Sequence, residues 1–168
     1  MKGQVSRWIM QGAFLASGYI YVHTIEPKPE NRKKTVCITI IMILFFAVLN
    51  YFYKYEDFWA EMATRMGGFL LLGYMIYTGR KLSLFAAYYY AIWAFCSWQL
   101  MYEWYLVCQN MAAGFWKDRQ LQDWTTELIV LGIGYLIVGL TLGRIIPDKG
   151  KKNIGPSQLV LALITFAN

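Results

Sequence analysis

Between residues 86 and 108 the chain has no lysine, no arginine and no aspartate, and the only acid there is Glu103. Charge is scarce throughout. Only 15% of the 168 residues are Asp, Glu, Lys or Arg, against about 25% in a soluble domain. One histidine in the whole chain excludes a His-rich metal site, and Cys37, Cys96 and Cys108 are spaced for neither a zinc nor a redox motif. No P-loop, GxSxG, HExxH or dinucleotide fingerprint is present. The sequence therefore offers no catalytic constellation, no metal site and no cofactor site, and no internal repeat of the kind that marks many transporters.

What the chain does have is apolar bulk: 58% of its residues are hydrophobic and 18% aromatic. These residues come in blocks with the charges between them. A membrane span needs about 20 predominantly apolar residues. The blocks lie at 8–24, 35–53, 63–78, 82–109 and 128–146, with a sixth, 157–168, that meets the end of the sequence. The expected fold is all-α, a single polytopic transmembrane helical bundle with five complete spans, an incomplete sixth and no soluble domain. The short sixth block raises the expectation that the chain continues beyond Asn168. Lys2 and Arg7 ahead of the first block resemble a signal peptide. However, the apolar run continues through Tyr19 to Val22 without a clear cleavage site, so a retained helix is the better reading.

Orientation follows from the basic residues. Cytoplasmic loops carry an excess of Lys and Arg. With the N-terminus outside, the inner loops 25–34, 79–81 and 144–156 hold ten of the sixteen basic residues. The outer side then holds Lys2, Arg7, Lys54, Arg65, Lys117 and Arg119, offset by six acids that include Glu61 and Glu127. The net charge of +6 is thus accounted for by basic inner loops facing anionic headgroups. A lipid bilayer is the expected partner and nucleic acid is not. The expected location is a bacterial plasma membrane crossed several times.

The stretch 86–108 has rings at both ends. Tyr88, Tyr89 and Tyr90 lie toward its inner end, and Trp98, Tyr102, Trp104 and Tyr105 toward its outer end. Interfacial aromatic belts account for most of them. They do not account for Cys96, Gln99 and Glu103, which fall at spacings of three and four and so share one helix face. A carboxylate inside a span is costly and usually faces a bundle interior or a watery cavity. Glu103 is therefore either an interfacial residue reaching water or a ligand-facing carboxylate at the outer mouth. In the second case Gln99, Glu103, Trp104 and Cys96 are the candidate ligand-binding residues, with contributions from the outer loops 54–61 and 110–127. His23 reads as interfacial. Gly139 and Gly143 form a GxxxG pair and Gly67 and Gly68 a second small-residue site. Both are suited to close helix packing within the bundle or, for the first, across a homodimer seam.

Several short stretches carry a family resemblance. These are the basic loop PKPENRKK, the TR pair Thr64–Arg65 at the entry to the third block, the opening LSLFAAYYYAIWAF of the fourth and the final KKNIGPSQLVLALITFAN. Together they resemble the polytopic N-terminal sensor region of GHKL-type sensor histidine kinases, a group that includes quorum-sensing peptide receptors. The resemblance implies a two-component signal-transduction input that detects an extracellular ligand such as a peptide, with the kinase domain outside this chain. In that family the fourth span often carries Gln followed by His. Here Gln99 is followed by Leu100, so a role resting on that His does not carry over. Two other classes compete. One is a small multi-pass transporter, or the substrate-binding membrane component of one. The other is a membrane peptidase, which would require Cys96 or Cys108 to meet His23.

Overall fold

Small side chains on one helix and rings on its neighbours set the packing. The structure, a computed structural model, describes residues 2–24, 31–52, 58–80, 82–115, 124–145 and 154–167. Among these are six α-helices and no strand: α1 (Lys2–Thr24), α2 (Arg32–Phe52), α3 (Phe58–Arg80), α4 (Leu84–Phe115), α5 (Trp124–Ile145) and α6 (Pro156–Ala167). The all-α expectation holds. The helices run past the apolar blocks: α1 starts at Lys2 instead of 8, α3 at Phe58 instead of 63, and α4 continues to Phe115. Hydropathy marks where polar side chains begin, whereas a backbone ladder continues through any residue that tolerates helical φ and ψ.

Local signals fix several helix starts. The Asn31 side chain accepts from the backbone N–H of Lys34, and Ser83 accepts from that of Ala86 at 3.2 Å. Each supplies the partner that a first-turn donor lacks. At α6 the side chain of Gln158 reaches back to the Gly155 N–H at 3.3 Å, the second half of a capping box.

Neighbouring helices alternate in direction. Thr35 of α2 meets Gly79 of α3, and Phe45 meets Gly67, so the pair is antiparallel. On α3 and α4, Gly73 meets Tyr88, Phe69 meets Phe95, and Arg65 lies over Trp98. On α1 and α4, Phe14 meets Phe95 and Trp98. α5 runs back alongside α1, with Gly139 opposite Ile20, and packs on α4 through Gly134 and Met101. α1 and α4 form the centre, α2 lies outside mainly against α3, and α6 touches α4 alone.

The glycines of α3 explain how three helices approach it. The Phe14 ring of α1 packs on Gly68, where an added Cβ would lie 3.2 Å from it, and Tyr88 of α4 and Thr35 of α2 fill the space at Gly73 and Gly79. At the middle of the bundle Phe14 makes edge contacts with Phe46, Phe95 and Trp98 at centroid distances of 6.2, 5.9 and 5.3 Å. Each such pair contributes about 0.5–1.5 kcal/mol beyond the area it buries.

Much of the outer surface is apolar. On α2 the buried stripe is Thr35, Ile38, Met42, Phe46 and Leu49, while Ile40, Ile41, Ile43, Leu44 and Val48 are exposed. α5 likewise exposes Ile129, Ile133, Leu136 and Leu140. By contrast Gln11, Ser17, Thr35, Ser97 and Arg80 are buried. Among the described residues one helix, α2, is long and apolar enough to cross a membrane, and the apolar part of α5, Glu127–Thr141, is shorter.

Three sequence readings change. Tyr89, Tyr90 and Trp98 are core residues, not belt residues: Tyr90 is fully enclosed, and the Trp98 Nε1–H donates to the Met10 carbonyl at 3.1 Å. Arg80 is not a loop charge. It ends α3, is buried, and its Nε–H donates to the carbonyl of Val22. That carbonyl is in the last turn of α1, where helical partners run out and the dipole favours a cation. Glu127 lies in the first turn of α5 and is buried instead of belonging to an outer loop.

Candidate functional site: a cleft between α4 and α5

The α4 sequence QLMYEWYLV places Leu100, Met101, Glu103, Trp104 and Val107 along a strip about two turns long. Opposite it, α5 presents Gly134 and Ile137. These seven residues line a cleft of about 400 Å³, within the size range of small-ligand sites. Gly134 makes its floor: a Cβ added there would lie 2.6 Å from the Met101 sulfur and 3.8 Å from Trp104 Cδ1. The walls are almost wholly apolar, and Glu103 is the one charged residue among those that line them.

That carboxylate is weakly compensated. Gln99 Nε2 donates to Glu103 Oε1 at 3.2 Å, an i,i+4 pair on one face. No cation lies within ion-pair distance of Glu103 among the described residues. Arg65, a cation at the same end of α4, is already engaged: it pairs with Glu61 at 2.6 Å and lies 5.9 Å from the centre of the Trp98 ring. Glu103 and Trp104 are both exposed, Trp104 by half.

The four candidate ligand residues separate. Glu103 and Trp104 line the cleft. Gln99 stands behind Glu103 as its hydrogen-bond donor, with its own Oε1 buried and unpartnered. Cys96 is not part of the lining and lies further along α4, near the Tyr21 phenol. Leu100, Met101, Val107, Gly134 and Ile137 were not legible as site residues. Every one is apolar on helices that are apolar all round, so periodicity gives no contrast. Of the outer loops, 54–57 and 116–123 lie outside the described residues, whereas Phe58 to Glu61 belong to α3, Asn110 to Phe115 to α4 and Trp124 to Glu127 to α5.

About one turn from Met101 is a polar patch inside the bundle. Tyr21 of α1 and Ser97 of α4 share a hydrogen bond of 2.8 Å, and Ser97 also donates to the Trp93 carbonyl at 2.8 Å. The Tyr135 hydroxyl of α5, next to Gly134, is buried facing Ser17. The cleft and this patch therefore share both α4 and α5.

Of the packing glycines, Gly67 meets Phe45 and Gly68 meets Phe14, while a Cβ added at Gly139 would lie 4.0 Å from Ile20 Cδ1 of α1, an ordinary contact. Gly143 lies in α5, and its surroundings are outside the described residues. His23 is exposed and stacks on Tyr19. Cys108 is at the far end of the bundle, about 30 Å along the axis from His23 given the helix rise and the antiparallel α1–α4 pairing, so that pair is not assembled. No three His, Cys, Asp or Glu side chains come together among the described residues. Comparisons with protein-family models, with curated proteins and with solved structures found no match.

Proposed function

We propose that the chain is a multi-pass membrane bundle with its N-terminus outside, acting as the ligand-sensing input region of a two-component signal transduction protein in a bacterial plasma membrane. The observation that carries this reading is the contrast between the bundle's two ends. At the inner end the Arg80 side chain is tied to Val22, and the Asn31 N–H donates to the Gly79 carbonyl at 3.0 Å. At the outer end α4 and α5 leave an apolar cleft lined in part by Glu103 and Trp104, both exposed.

Membrane embedding is supported by the apolar outer faces of α2 and α5 and by the polar groups buried between helices. A soluble monomer rarely exposes contiguous apolar patches beyond a few hundred Å², and within lipid polar side chains turn inward to one another. α1, α2, α3 and α5 have 21 to 23 residues each, or about 32–35 Å at 1.5 Å per residue, enough for a hydrocarbon layer of about 30 Å. Sensing is favoured over transport because rings fill the space between α1, α3 and α4, where a midplane substrate site would lie. A ligand in the cleft acts only by favouring one arrangement of α4 and α5 over another. The Tyr21–Ser97 bond and Tyr135 are the adjoining contacts that such a shift would change.

The test fills the cleft from within. Ile137→Trp should change hydrogen-exchange protection at 31–35 and 76–80, at the opposite end of the bundle, in protein reconstituted in lipid nanodiscs. Protection unchanged there would defeat the sensor reading.

A further inference from the structure

We infer that the α4/α5 cleft takes an amphiphilic cation, an alkyl ammonium whose head rests against Glu103 and Trp104 and whose tail runs inward along Leu100 and Ile137. The inference rests on the membrane reading above and adds the chemistry of the ligand.

Depth is the first argument. Glu103 lies 19 residues beyond Leu84, the first residue of α4, or about 28 Å along the axis. With the inner end of α4 at one face of a hydrocarbon layer about 30 Å thick, the carboxylate stands at the opposite boundary. Because α5 runs antiparallel with Gly134 beside Met101, Ile137 lies inward of Gly134. Glu103 and Trp104 therefore stand at the headgroup level, with an apolar trough along Leu100 and Ile137 leading inward from them and Val107 one turn outward. A ligand matching this arrangement has one polar end and one apolar end, in that order.

Charge is the second argument. Glu103 is exposed, accepts a hydrogen bond from Gln99, and meets no basic side chain among the described residues. Its carboxylate is complementary to a cation. Trp104 adds an indole face at the same level, and indole is the best of the aromatic partners for an ammonium. An anionic or purely neutral amphiphile would gain only the trough. Apart from the Trp104 indole N–H the lining carries no side-chain hydrogen-bond donor and no basic group, so a phosphate or sulfate head would meet the Glu103 carboxylate with no cation to offset it.

The test uses dodecyltrimethylammonium carrying a photoreactive diazirine at mid-tail, with a dodecyl sulfate of identical tail as its counterpart. Both are added to the full chain in phosphatidylcholine nanodiscs, and the labelled residues are read by mass spectrometry. The ammonium probe should label 100–107 and 134–137, be displaced by unlabelled dodecyltrimethylammonium, and exceed the sulfate probe there by about fivefold, the size of one exposed ionic or cation–π contact. Glu103→Gln should bring the two probes to parity, and Ile137→Trp should abolish labelling by both at 134–137 while leaving Glu103 in place. Equal labelling by the two probes in the unsubstituted protein, or a preference that survives Glu103→Gln, would overturn the assignment. Head-group-selective labelling stands even where Ile137→Trp leaves exchange at the inner end unchanged. In that case the ligand class holds and the sensor reading fails.

Discussion

The two ends of the bundle are built differently. At the Arg80 end of α1, α2 and α3, the inner end in the proposed topology, backbone carbonyls are closed from another segment: the Arg80 side chain donates to Val22 and the Asn31 N–H to Gly79. At the Glu103 end, α4 and α5 leave a cleft beside Gly134 and Met101, and the Glu103 carboxylate bonds along its own helix to Gln99. The bonds between helices there, Asn50 to Gln11 and Trp98 to Met10, lie away from the cleft lining. A closed end resists displacement because each broken contact strands a buried polar group. An open end can change shape at little cost. The difference teaches where the molecule can accept a ligand and where it holds its helices in register.

Breaking the closed end should have the largest effect. Arg80→Leu removes a charged donor from a buried carbonyl and should cost about 2–3 kcal/mol, read as a lower midpoint in reversible unfolding from micelles. A loss under about 0.5 kcal/mol would mean that the inner end is not held by this contact. Gly79→Val comes next. Its branched side chain would press on Thr35 Oγ1, 2.8 Å from an ideal Cβ, for about 1–3 kcal/mol of overpacking in the same measurement. In the middle, Tyr21→Phe removes one interhelical hydrogen bond and should cost about 0.6 kcal/mol, the usual size for such a bond in the membrane setting proposed above.

At the open end, Glu103→Gln should leave the unfolding midpoint within about 0.5 kcal/mol while removing the preference for a cationic amphiphile. A large stability loss there would erase the contrast between the two ends. The orientation is sharpened without any energy change by thiol labelling. In a protein lacking its native cysteines, Asn110→Cys should react with an impermeant maleimide on intact cells, and Lys33→Cys only after permeabilisation. The reverse pattern would turn the bundle over.

The helices were legible because long apolar blocks separated by charged segments admit little else. The site was half legible. Glu103 stood out as the one acid in its stretch, and Trp104 as its neighbour, but the walls that make a cleft around them did not. Tyr89, Tyr90 and Trp98 were misread as belt residues for a related reason. On a helix that is apolar on every side, an aromatic facing lipid headgroups and one facing another helix have the same sequence surroundings. Arg80 and Glu127 were read as loop charges because charge at the edge of an apolar block usually is. Both are helical and buried.

The sequence by itself determined the secondary structure, the absence of strands among the described residues, and the isolation of one carboxylate in the aromatic fourth block. Those properties depend on local composition and spacing. Only the tertiary structure decided which face of each helix is inside, that Arg80 closes α1, and that Glu103 and Trp104 line a cleft while Cys96 stays out of it. Those are relations between helices, set by which side chains fit against which glycines.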